Sequence, residues 1–299
     1  MVTRLQMHVS SMAEFAELRR RFLGFPAAPK LLHTREGGID ISSPGRQSLS
    51  LLVGEETAGV LYATDVYLSP GFGAPPHHQP TEDELWYVLE GTLDARVGMQ
   101  TVSLWPGAFA YIPRDTTHAF RNNGTGLVRL LAWNAPGGHE RAFEAMRAKA
   151  DQGITDFPSL REVLGHHGID LHEDAAEVAP NDQSATAFAP KVVASRTSGR
   201  DASTQPGVDS RVLLDKLESN GQYEVRDVVI TPGATLRLGD EHSHTCFYVV
   251  DGNADVLLDG DQQRVGRGAF GYLPDGHAGT IAAVDAPTRL VSWTATTAA

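Results

Sequence analysis

The chain repeats itself. WYVLEG at 86–91 recurs as FYVVDG at 247–252, GAFAYIP at 107–113 as GAFGYLP at 268–274, and RLLAW at 129–133 as RLVSW at 289–293. The first two pairs lie 161 residues apart and the third 160, so one residue has gone from a turn of the second copy. Ordered matches at near-constant spacing require two copies of one structural unit. Each matched block is a short run rich in β-branched and aromatic residues bounded by Gly or Pro, the pattern of a buried strand ending in a turn. The unit is therefore a β domain, and the chain holds two.

The rest of the chain fits around these copies. Residues 31–71 alternate short apolar runs with Gly, Pro and Ser punctuation, which predicts further strands before the first matched block. After GLVRLLAWNAPGG, the segment HERAFEAMRAKADQ (139–152) has helical spacing, and FPSLREVLGHHGIDL predicts a second helix behind Pro158. From His172 to about Gly207 the composition turns to Ala, Asp, Ser, Thr and Pro, as in a linker or a long extended crossing. The expected division is residues 1–150 as an N-terminal domain, 151–207 as helical segment and linker, and 208–299 as a C-terminal domain. The first 24 residues have the charge alternation of a surface helix and no signal-peptide core.

Charge excludes some functions. A formal charge of −12 and a pI near 5.4 argue against nucleic acid and against anionic membrane surfaces as partners. No apolar run reaches spanning length, and the single Cys246 has no intrachain partner, so the expected location is the cytoplasm.

Chemistry concentrates in GAPPHHQPTEDELWYVLEG (73–91), which places His77, His78, Glu82, Asp83 and Glu84 within eight residues. On a strand alternate residues share a face, so His77 and Gln79 point inward together and His78 outward. GAFAYIPRDTTHAFRNN (107–123) adds His118 from a neighbouring strand. Two histidines and a carboxylate with room for further ligands make the composition of a mononuclear metal site. Glu82 and Asp83 are expected as solvated turn charges, with Glu82 able to lean over the mouth of the site. Phe109, Trp86 and Tyr111 are expected in the core, the last two, with Gln79 and Glu82, also being candidate substrate contacts. His166 and His167 are expected at the surface.

These two stretches resemble the two motifs of the cupin superfamily. In the first, a Gly precedes His-x-His, a Glu and a closing Gly; counting back from Gly91 sets Glu84 at the Glu, Gln79 at the second His and His77 at the first. In the second, Gly107 is followed by Pro113, Asp115, His118 and Asn122. The sequence departs from the family at Gln79, which replaces a metal-ligating His, and at Asp115, which replaces a turn Gly. Asp enters left-handed turns more readily than most residues. The resemblance implies an all-β fold of two tandem jelly-roll barrels, a bicupin.

The motif and the bicupin layout look most like the quercetin 2,3-dioxygenase branch. That likeness implies one divalent transition metal (Fe, Mn, Ni, Cu, Co or Zn), a small enolic or phenolic substrate, and dioxygen. It also implies that Glu84 both ligates the metal and accepts the substrate proton. Two alternatives stand beside it. One is a non-redox isomerase or polyketide-type cyclase using the metal as Lewis acid, and the other a non-catalytic binding bicupin, since a fold does not decide among these. Aerobic and anaerobic assays separate the redox from the non-redox reading.

The second copy lacks the ligands. At a spacing of 161, the positions of His77, Gln79, Glu84 and His118 fall on Leu238, Asp240, Thr245 and Gly279. YLSPG (67–71) matches VITPG (229–233) at 162, and a slip of one residue brings Gly239 and Glu241 instead of the first two, which restores no site. His242, His244 and His277 are off register. One metal per chain, in the first copy, is therefore expected, with the second copy serving stability and assembly as a homodimer.

Overall fold

Strand pairing in the computed structural model, which describes residues 28–172 and 189–296, groups the chain into four antiparallel sheets. The first barrel sets a seven-stranded sheet against a five-stranded one. The larger runs in the order Lys191–Val193, Phe109–Ile112, Asp83–Glu90, Val128–Ala135, Tyr62–Leu68, Arg46–Leu52, Ile39–Asp40. The smaller runs Asp170–Leu171, Gly73–His78, His118–Arg121, Leu93–Val97, Gln100–Leu104. Inward residues of both, among them Val66, Trp86, Val88, Leu93, Val97 and Ala132, pack into one core. The second barrel repeats this with a seven-stranded sheet from Lys30–Leu32 to Arg200–Asp201 and a four-stranded sheet of Thr235–Leu238, Gly279–Ala283, Asn253–Leu258 and Asp261–Gly266. The all-β double barrel expected from the repeat is what forms.

The strands do not respect the expected boundaries. Lys30–Leu32, from the N-terminal side, pairs with Phe270–Leu273 of the second barrel, and Lys191–Val193 pairs with Phe109–Ile112 of the first. The segment expected as linker thus supplies strands to both barrels, including Asp170–Leu171 beside Gly73–His78 and Arg200–Asp201 beside Val208–Leu214. Short three-residue runs give no periodicity to detect, so the exchange is invisible in the sequence.

A third core joins the barrels, with Trp133 stacked on Trp293 at 4.5 Å between ring centroids. Around it lie two matching polar clusters. The Tyr248 hydroxyl donates to Asp65 (2.8 Å), which also takes Arg129 (2.7 Å), while the Tyr87 hydroxyl donates to Asp227 (2.6 Å), which takes Arg289 (2.6 Å). Each tyrosine crosses from the opposite barrel, so the interface has the self-complementarity of a two-fold contact. Both aspartates are wholly buried and fully engaged, as buried charges must be.

Registers fix the equivalence of the copies. His118 lies opposite His77 and Gly279 opposite Leu238; Glu84 lies opposite Ile112 and Thr245 opposite Leu273. The spacing of 161 therefore holds at the site, and the one-residue slip lies upstream of it. Gly91 and Gly252 close equivalent strands at φ 75° and 86°. A Cβ there would sit 2.5 Å from the Leu127 carbonyl oxygen or 2.7 Å from that of Pro287, which is why both copies keep Gly.

The two predicted helices form as Glu140–Asp151 and Phe157–His166. Pro158 sits in the first turn of the second, where no helical N–H is lost, and Asp156 caps it by accepting from the Ser159 N–H. Ala142 and Leu164 pack with Ile169 and Leu171, which fastens the helix pair to the edge strand Asp170–Leu171, next to Gly73–His78. The helix expected in the first 24 residues lies outside the described residues. Among those described, no helix is long and apolar enough to cross a membrane.

Candidate metal centre

His77 and His118 arrive on paired strands of the small sheet, and Glu84 on the facing large sheet. One ligand atom from each lies within 4.8 Å of the others, and all three residues are buried. The imidazoles are tilted against each other with centroids 4.1 Å apart. Among the described residues no other group of three or more such side chains converges.

The rings are held by the backbone. His77 Nδ1 donates to the Pro75 carbonyl (2.8 Å) and His118 Nδ1 to that of Thr116 (2.9 Å). A carbonyl only accepts, so Nδ1 carries the proton and a neutral ring turns a bare Nε2 inward, as in metal-binding histidines. His118 Nε2 then faces Glu84 Oε2 at 3.1 Å. Two acceptors at that distance repel unless a proton or a cation lies between them. Burial and the neighbouring His118 push His77 down to about 3, so it is neutral at physiological pH. Burial alone would raise the Glu84 carboxyl; a positive charge between it and His118 Nε2, a shared proton or the cation that would replace it, outweighs burial and holds Glu84 well below the usual range. An anion and two inward lone pairs fit a divalent transition metal.

The remaining candidates divide. Gln79 is buried and its Nε2 donates to Glu84 Oε2 (3.0 Å), so the amide at the family's ligand position presents a donor rather than a lone pair. Trp86 lies behind the carboxylate, donating from Nε1 to Glu84 Oε1 at 2.7 Å, with its ring edge-on to His118. It positions Glu84 from the core. Tyr111 points away from the His77–Glu84–His118 cluster into the core between the barrels, against Tyr223, because it alternates with inward Ala110 and Ile112. Phe109 lies in that same core.

Glu82 and Asp83, expected as solvated charges, are both enclosed. Glu82 Oε2 accepts from His139 Nδ1 (2.8 Å), and Asp83 accepts from the backbone and guanidinium of Arg114 (2.7 and 3.1 Å). His78 turns outward as alternation predicts, but meets His172 (3.0 Å) rather than open solvent. Asp115 takes φ 58°, the left-handed turn that its replacement of Gly demands. Asn122 donates to the Leu68 and Gly126 carbonyls and so braces a turn.

Three neighbours were missed. Asn134 lies directly opposite Glu84 on the adjacent strand, Tyr62 opposite Asn134 on the next, and His139 stacks on Tyr62. A polar residue at the end of the apolar run RLLAWNA was a usable signal for Asn134. His139 had none, since it meets Glu82 across 57 residues of sequence.

The second barrel holds Leu238 and Gly279 where the histidines stand, and Thr245 for Glu84. His244 is buried, but its Nδ1 meets the Tyr272 hydroxyl (2.6 Å), and Tyr272 lies in the core between the barrels.

Residues 64–134 match the cupin domain family. The whole fold is shared with solved bicupins. Oxalate decarboxylase from Bacillus subtilis superposes with a TM-score of 0.62 at 15% identity, over 92% of this chain and 79% of that one. Procruciferin, an 11S globulin from Brassica napus, gives 0.60 at 10% over 90% and 84%, and protein Ylba from E. coli 0.61 at 12% over 91% and 93%. No curated protein sequence matches the chain. One fold thus serves a decarboxylase and an 11S globulin, so the function has to be argued from the site.

Proposed function

We propose that this bicupin is a metal-dependent enzyme of the dioxygenase type, acting in its N-terminal barrel on a small enolic or phenolic substrate. The observation that carries the reading is the convergence of two inward Nε2 lone pairs and one ionised carboxylate, with a hydrogen-bond donor instead of a fourth ligand. His77, His118 and Glu84 would hold the metal. When bound, it would act as Lewis acid toward a substrate oxygen and as the centre at which dioxygen is used.

The protein's own groups do the rest. Gln79 and Trp86 donate to the two Glu84 oxygens and keep them oriented and charged. Glu84 then accepts the proton of the enol or phenol, a role open to a carboxylate beside a substrate hydroxyl. The closely packed apolar core behind Trp86 keeps bulk water from the reacting oxygen. A second reading rests on one observation. Glu84 is tied down at both oxygens, which suits a fixed ligand better than a mobile base, as in a non-redox isomerase or cyclase.

Oxygen uptake against flavonols and simple phenols, with protein of measured metal content, tests the proposal. Oxygen consumed in step with substrate supports it. Equal turnover without oxygen would replace it by the non-redox reading.

A further inference from the structure

The small sheet of the first barrel turns its metal ligands inward and a basic groove outward. On the strand His118–Arg121, His118 and Phe120 point into the barrel, so Ala119 and Arg121 alternate outward. Leu93, Ala95 and Val97 pack in the core on the next strand, and Val102 and Leu104 on the one after it. That leaves Asp94 and Arg96, then Thr101 and Ser103, on the outer face. A groove of about 390 Å³ lies there, lined by Pro75, Asp94, Arg96, Thr101, Ala119 and Arg121 with their neighbours. Its volume falls within the ~300–1,000 Å³ usual for small-molecule sites.

Arg121 is the uncommitted charge. It lies directly opposite Asp94 on the neighbouring strand, where an ion pair across the sheet is the ordinary outcome. Asp94 instead accepts from the Ser103 hydroxyl (2.6 Å) and the Asn123 amide (2.8 Å), and those bonds hold its carboxyl below the usual range. Among the described residues Arg121 makes no side-chain hydrogen bond and no ion pair. Arg96, its diagonal neighbour, lines the same groove with Nε held by the Gly98 carbonyl (3.0 Å). On a chain of formal charge −12, two guanidinium groups at one groove make a local positive field.

The second barrel has the same strands without this feature. Registers place Ala282, Leu257 and Thr280 where Arg121, Arg96 and Ala119 stand, and Asp255 where Asp94 stands. Asp255 is paired with Arg264 (2.9 Å), which takes the position of Ser103. One barrel therefore closes its charge across the sheet, and the other leaves an arginine facing a groove. A framework role common to both copies does not account for Arg121.

We propose that this groove binds a small amphipathic anion, a carboxylate or phosphate carried on an apolar body. Arg121 gives the oxyanion its charge-assisted hydrogen bonds, within the field of Arg96, and the apolar body lies over Pro75 and Ala119. The groove is on the opposite face of the strands that carry His77 and His118, so it stands whether or not the metal reading does.

Calorimetric titration of full-length protein at low salt with benzoate, phenyl phosphate and neutral benzamide tests this. At least one anion should bind about tenfold tighter than the amide, and the tighter of the two identifies the oxyanion. Arg121→Gln should erase that preference, and Arg121→Lys should keep part of it. Because the position is exposed, Arg121→Gln should unfold at the parent temperature, which separates lost binding from lost fold. His118→Ala should keep the preference, since the groove does not include the metal ligands.

Anions that bind no tighter than benzamide, or a preference that survives Arg121→Gln, would overturn the proposal. A preference lost in His118→Ala but kept in Arg121→Gln would overturn it too, by placing the anion at the metal, and would leave the metal reading standing.

Discussion

The two barrels share their framework and differ in one row of side chains. Where the first has His77, His118 and Glu84, the second has Leu238, Gly279 and Thr245, while the turn glycines, the stacked tryptophans and the Asp–Arg–Tyr clusters are kept in both. Selection for packing and selection for chemistry therefore act on different residues. The groups that hold the barrels together should matter equally in each copy, and those at the site should matter in one only.

The largest effect tests that asymmetry. On the proposed reading Glu84→Ala would remove the anionic ligand and the proton acceptor together, and turnover should fall about 10²–10⁴-fold. Thr245→Ala, at the matching position, should leave turnover unchanged. Kinetics on the two purified variants makes the comparison, and equal losses would erase the functional difference between barrels.

The converse symmetry comes next. Asp65→Asn and Asp227→Asn each remove a wholly buried carboxylate that takes an arginine and the tyrosine of the opposite barrel, and should each cost about 3–5 kcal/mol in denaturant unfolding. A large cost in one and none in the other would mean the barrels are not held by equivalent contacts.

A smaller effect concerns the substituted ligand. Gln79→His restores the family's imidazole and should tighten metal binding about tenfold, the scale on which groups around a metal tune affinity. Asp240→His, at the matching position, should confer none, because Leu238, Thr245 and Gly279 offer no further ligands. Competition with a chelator would measure both, and an unchanged affinity in Gln79→His would place Gln79 outside the coordination space.

How much of this was legible depended on range. The double barrel followed from repeat spacing and the inward pair His77 and Gln79 from strand alternation, whereas Glu84 and His118 took their places from the resemblance to the two cupin motifs. The reciprocal strands Lys30–Leu32 and Lys191–Val193 did not, since their pairing is decided by edges of the opposite barrel. Glu82 and Asp83 looked solvated because their partners, His139 and Arg114, lie 57 and 31 residues away. Tyr111 looked like a possible contact until strand register turned it toward Tyr223.

The central claim is that the chain binds one metal, in the N-terminal barrel. Elemental analysis of purified protein alongside His118→Ala and His244→Ala tests it most directly. The account predicts one metal per chain in the parent and in His244→Ala, and loss of that metal in His118→Ala. Two metals per chain, or full occupancy in His118→Ala, would contradict it.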